Sequence, residues 1–147
     1  AIPPAIFGHL LPLFIQAVPG VIFNGDPPFS LWEHPPGVGR IPPHRSDAGT
    51  YLLAECFGCA TMTLIKDVDG LYERDPKEHP GARFIDEITV AELREMNLPT
   101  LPFDRSLLGL LERARLVTSI QIINGLEPDR LLPALRGERV GTIIRRD

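Results

Sequence analysis

Two cysteines and one tryptophan are all that the 147 residues contain of those types, and aromatic residues make up only 7%. A pair of cysteines cannot build the disulfide framework that staples small secreted domains, so the core has to be assembled from aliphatic side chains. At 44% hydrophobic the supply is sufficient for one domain, while the length is too short for two full ones. Basic residues are also scarce. Fifteen Lys and Arg against nineteen Asp and Glu leave a formal charge of −4, with no basic excess to displace counterions from a nucleic acid. The charge balance therefore argues against nonspecific DNA or RNA binding, while leaving room for a local basic pocket. No apolar run reaches the length of a membrane span. The first twenty residues are apolar, but they lack a basic leading region and are broken by Pro3, Pro4, Pro12 and Pro19. They are expected to be buried core rather than a secretory leader. The composition predicts a single cytoplasmic domain over residues 1–147.

Cys56 and Cys59 form a C-x-x-C pair. Structural zinc needs about four ligands and no second pair follows, while a redox motif of this spacing belongs at a helix N-terminus, where the dipole lowers a thiol pKa. Here the pair falls where a helix ends, after "DAGTYLLAECFG". Two buried thiols are expected.

What the chain does have is an alternation of strand and helix signals and sixteen prolines. "GVIFN" (Gly20 to Asn24) reads as a short buried strand. From Gly25 to Pro43 the prolines are too dense for a helix or central strand, which predicts a rigid extended loop. Ser46 or Asp47 can cap a helix running to about Phe57, with Ala48, Leu52, Leu53, Cys56 and Phe57 as its apolar face. "TMTLIKD" is a strand, followed by a charged turn and a surface stretch to Arg83. "FIDEITVAELREM" gives a short strand and a helix from near Thr89, with Thr89 and Glu92 as a capping box. "RSLLGLLERARLV" is an amphipathic helix. "SIQIIN" is a strand, "PDRLLPALR" a helix closed by Gly137, and "VGTIIR" a final strand. Strand, helix, strand at these lengths implies crossover connections, hence an α/β fold with a mostly parallel sheet.

The stretch "IKDVDGLYERDP" (Ile65 to Pro76) places charges where an apolar strand has just ended. In open parallel sheets ligands bind beyond the carboxyl ends of strands. Lys66 suits a phosphate, Asp69 with Gly70 a tight turn, and Tyr72 and Asp75 a base and ribose hydroxyls. A solvated β-turn carrying charges for solubility would look the same in the sequence.

"KDVDGLYERDP" resembles the nucleotide-site segment of the amino-acid kinase superfamily, uridylate kinases in particular, and "PPHRSDAGTYLLA" resembles the helix opening that precedes it there. "NGLEPDRLLPALRGERVGTIIR" is similar to that superfamily's last strand, helix and strand. With "PPFSLW" and "YLLAECFGC" added, the pattern most resembles the molybdenum-storage family within it. The resemblance implies a three-layer α/β sandwich in which this chain supplies the C-terminal, nucleotide-binding half. The superfamily's N-terminal half, with its lysine and glycine-rich phosphate segment, has no counterpart in these residues. It further implies ATP with Mg²⁺ as cofactors. Asp47 would organise the phosphate site and act with Lys66 in catalysis. Lys66, Asp67, Asp69, Gly70, Tyr72, Asp75 and Pro76 would form the nucleotide site. Asp47 could instead be only an N-cap.

On the storage side, the family's histidine run in the proline-rich loop is replaced here by Ser30, Leu31 and Trp32, as in its second type of subunit. His34, His44 and Arg45 are left to meet a molybdate or tungstate oxide. The implied function is oxoanion storage as a polynuclear oxide in a cage built with a related subunit, loaded by ATP hydrolysis. The alternative is phosphoryl transfer of the uridylate kinase type. The proline-rich loop favours storage.

Overall fold

Ile120, Ile122 and Ile123 are each at most 1% exposed and Gln121 between them is buried, so this run is covered on both faces. β-branched side chains fill such a position well. They form β5 (Ser119–Asn124), placed between β1 (Met62–Lys66) and β6 (Thr142–Arg145), with β4 (Glu87–Thr89) beyond β6. β1 runs parallel to β5, in a register that pairs Met62 with Ile120 and Lys66 with Asn124. β4 is parallel to β6, while β5 and β6 are antiparallel. A separate antiparallel pair joins β2 (Leu71–Tyr72) to β3 (Phe84–Ile85). This computed structural model describes Leu13, residues 16–20 and residues 45–147.

The fold is α/β, with a mixed sheet in which two of the three pairings are parallel. The antiparallel β5–β6 pairing corrects the expectation of a crossover there. The intervening helix α4 (Leu131–Leu135) has five residues and climbs only about 7.5 Å. That is shorter than the six-residue strand β5 of about 20 Å, and the chain enters β6 running back beside β5. Gly137 closes this helix as expected. It adopts φ +83°, its N–H donates to the Ala134 carbonyl, and the N–H of Glu138 donates to that of Pro133.

The helices supply the rest of the core. α2 (Val90–Met96) carries the expected capping box. Thr89 N–H donates to Glu92 Oε2 at 2.8 Å and Glu92 N–H donates to Thr89 Oγ1 at 3.2 Å. α3 (Ser106–Glu112) buries Leu107, Leu108 and Leu111, and packs on α1 (Ser46–Phe57). The amphipathic pattern runs on to Val117, but the helix stops at Glu112. The carboxylate of Glu55 takes the N–H groups of Arg115, Leu116 and Val117, which a continuing helix would have used internally.

α1 differs from its expected face. Ala48, Gly49 and Tyr51 are the buried residues, and the Tyr51 hydroxyl donates to the Val117 carbonyl at 2.9 Å. Cys56 lies five residues beyond Tyr51, about 140° around the helix, and Cys59 follows the left-handed Gly58 cap. Both thiols are exposed, contrary to the buried pair expected. Leu13 and residues 16–20 are exposed as well. Buried core is thus not found at the described part of the first twenty residues, where Val18 and Pro19 sit in a bend. The expected strand "GVIFN" beyond its first residue, and the proline-rich loop from Gly25 to Pro43, lie outside the described residues.

Candidate functional site

Lys66 is the last residue of β1, and Asp47 sits in the first turn of α1. The Lys66 ammonium donates to both carboxylate oxygens of Asp47, at 2.8 and 2.9 Å. The side chains are 23% and 19% exposed, so the pair is only partly screened by water. Asp47 Oδ2 also accepts the Asp104 N–H at 3.1 Å. Asp47 is not an N-cap. Arg45 holds that position without a side-chain bond, and all of Asp47's partners come from elsewhere in the chain. The α1 N-terminus adds favourable partial charge to the carboxylate. Asp104, which the sequence did not mark, braces the same corner. Its carboxylate accepts the Arg45 N–H at 2.5 Å and the Ser106 N–H at 3.2 Å.

Beyond Lys66 the chain makes the charged turn. Asp69 accepts the Asn124 side-chain amide at 2.9 Å and the Tyr72 hydroxyl at 3.1 Å. The Asn124 amide holds the Asp69 carboxyl below its ordinary range, against a smaller opposing effect of burial, and Tyr72 adds to the lowering. Burial, followed by the bond to Asp69, raises the Tyr72 phenol. The Tyr72 ring packs edge-on against Phe84, with centroids 5.2 Å apart. Asp67 is exposed and faces Lys77 at 3.9 Å, a contact of little strength in water. Asp75 closes a turn with Pro76 at its second position. Lys77 N–H donates to Asp75 Oδ1 and Glu78 N–H to the Asp75 carbonyl.

These residues border a cleft of about 490 Å³, with Asp67, Gly70, Tyr72, Asp75 and Pro76 on one side and Leu98 to Pro102 on the other. Lys66, Asp47 and Asp69 stand next to it rather than in its lining. The second wall, "LPTLP", was missed although two prolines in five residues signal a rigid segment. Arg45 is exposed at the start of α1. His34 and His44 lie outside the described residues. Among the described residues no three His, Cys, Asp or Glu side chains gather as a metal site, and no helix is long and apolar enough to cross a membrane.

The profile of the amino acid kinase family matches residues 18–124. The beta subunit of the molybdenum storage protein of Azotobacter vinelandii is 46% identical over 134 residues, 91% of this chain and 50% of its own length. The uridylate kinase of Methanothermobacter thermautotrophicus is 38% identical over 113 residues, 72% of this chain and 49% of its own. The crystal structure of uridylate kinase from Archaeoglobus fulgidus superposes with a TM-score of 0.60 at 27% identity, covering 90% of this chain and 64% of that one. The chain spans about half the length of the curated relatives it matches.

Proposed function

The chain belongs to the amino acid kinase family, and from that premise we propose that it is part of a molybdate- or tungstate-storing subunit that binds ATP at the carboxyl end of β1. The observation that carries this reading is the identity with a molybdenum storage protein subunit, which extends over nearly the whole chain. The geometry beside the cleft is consistent with it.

The cleft volume falls in the range of small-molecule sites. Lys66 binds a phosphate as a compact cation. Asp47, held in place by the Asp104 N–H, keeps the ammonium ionised and pointed until phosphate competes for it. Tyr72 offers a ring for the base, while Asp69 orients that ring and Asp75 with Pro76 shapes the rim. Mg²⁺ fits as an ion carried mainly by the phosphates, whose charge it neutralises, since the described carboxylates form no cage of their own. The oxoanion is cargo. In a chain of net charge −4 it needs the few nearby cations held close, and Arg45 with His34 and His44 are the groups proposed to face it. Related subunits complete the enclosure.

The test is elemental analysis of the intact protein from its native source, combined with its native mass and ATP calorimetry. Molybdenum or tungsten retained in a large oligomer is expected, with less metal after His34→Ala and His44→Ala together while assembly persists. Phosphorylation of a nucleoside monophosphate by a protein that holds no such metal would overturn the storage reading in favour of uridylate kinase chemistry.

A further inference from the structure

Seventy-one residues after Leu71, one hydroxyl ties the cleft to the main sheet. Thr142, the first residue of β6, is fully buried. Its Oγ1 accepts the Leu71 N–H at 2.7 Å and donates to the Ile85 carbonyl at 2.6 Å. Leu71 and Ile85 are register partners in the small β2–β3 sheet, so this hydroxyl pins that sheet at one pairing. The next pairing along it is Tyr72 with Phe84, the aromatic contact at the cleft. Two glycines permit the approach. A Cβ on Gly70 would lie 2.3 Å from Thr142 Oγ1, and one on Gly141 would lie 1.9 Å from the Ile122 carbonyl oxygen and 2.9 Å from that of Asp69. Three consecutive residues of the turn, 69 to 71, are thus in close contact with the dipeptide Gly141–Thr142.

We infer that Thr142, with Gly141 beside it, is the positioning residue that sets the Tyr72 wall of the cleft for the nucleotide. This rests on the ATP-binding reading above. Thr142 does not line the cleft and acts through Leu71 and Ile85. Without the hydroxyl, a buried N–H and a buried carbonyl lose their partner, and β2 and β3 are free to shift against β6. The excursion from Glu73 to Arg83, which they hold at both ends, shifts with them.

The test measures ATP affinity of the intact protein by calorimetry, at a temperature where each variant is folded. Thr142→Val is expected to weaken binding roughly tenfold, the scale of one lost positioning contact, and Thr142→Ser to stay within about twofold because it keeps both bonds. In a Tyr72→Ala background Thr142→Val should cost nothing further, since the wall it positions is gone. Folded Thr142→Val binding ATP as the wild type does, or losing as much in the Tyr72→Ala background, overturns the inference. If Thr142→Val does not fold, Thr142→Ala, which removes the hydroxyl without adding a second methyl group, must show the same loss. Should the wild type bind no ATP, the nucleotide reading fails separately. Hydrogen exchange then decides the anchoring: faster exchange across residues 67–79 in Thr142→Ala with β1 and β5 unchanged supports it, and unchanged exchange there overturns it.

Discussion

The ends of β4 and β1 both carry charge, and they differ in where the partners come from. At the junction of β4 and α2, Thr89 and Glu92 satisfy one another across three residues. At the end of β1, Lys66 meets Asp47 nineteen residues away and Asp69 meets Asn124 fifty-five residues away. The first arrangement completes a helix and leaves nothing unspent. The second gathers charge from separate elements beside an open cleft, which is the arrangement a ligand site requires and a turn does not.

The largest effect is expected from breaking the long-range set. Asp47→Ala leaves a half-buried ammonium and the Asp104 N–H without their acceptor. It should lower unfolding stability by about 1 to 3 kcal/mol, measured by urea denaturation. Lys66→Ala should weaken ATP binding by a similar amount, about 1 to 3 kcal/mol in calorimetry, and unchanged affinity would remove Lys66 from the site.

Glu55 sharpens the comparison through pH. Burial pushes its carboxyl up, but the N–H groups of Val117, Arg115 and Leu116 outweigh burial and the net direction is below the ordinary 4.5. A depressed carboxyl stabilises the fold above its unfolded value and loses that contribution as pH falls through its folded value. Wild type should therefore exceed Glu55→Gln in thermal midpoint at pH 7, with the gap narrowing below about pH 4.5. A constant gap from pH 7 to pH 3 would contradict the charge-dependent account.

The local cap predicts less. Thr89→Ala should cost about 1 kcal/mol of stability and leave ATP affinity alone. If affinity fell as well, the division between a self-contained cap and a ligand site would not hold. Smallest of all is the exposed pair of Arg83 with Glu73, where Arg83→Ala should produce no measurable change in midpoint.

Where a feature depends on neighbours in the chain, it was legible beforehand. The Thr89–Glu92 box, the Gly137 closure of α4 and the apolar strand β5 each follow from residues within a few positions, because capping, φ preference and β-branching act at that range. Lys66 and Tyr72 were legible as candidates for the same reason: a strand that ends in charge is a local pattern. The buried face of α1 was not. Its choice of Tyr51 over Leu52 and Leu53 is accompanied by a bond to Val117, sixty-six residues on.

By itself the sequence determined strands β1, β5 and β6, most helix starts and the position of the charged turn, since propensity, periodicity and turn chemistry are short-range; it did not mark β2 or separate β3 from β4. Only the tertiary structure decided that β6 returns antiparallel to β5, that α3 stops where Glu55 captures its next amides, and that Asp47 serves Lys66 rather than its own helix. It also decided that Thr142 holds Leu71. The last three of these outcomes each rest on one side-chain acceptor or donor being offered to partners far along the chain, and which partner takes it depends on the packed geometry.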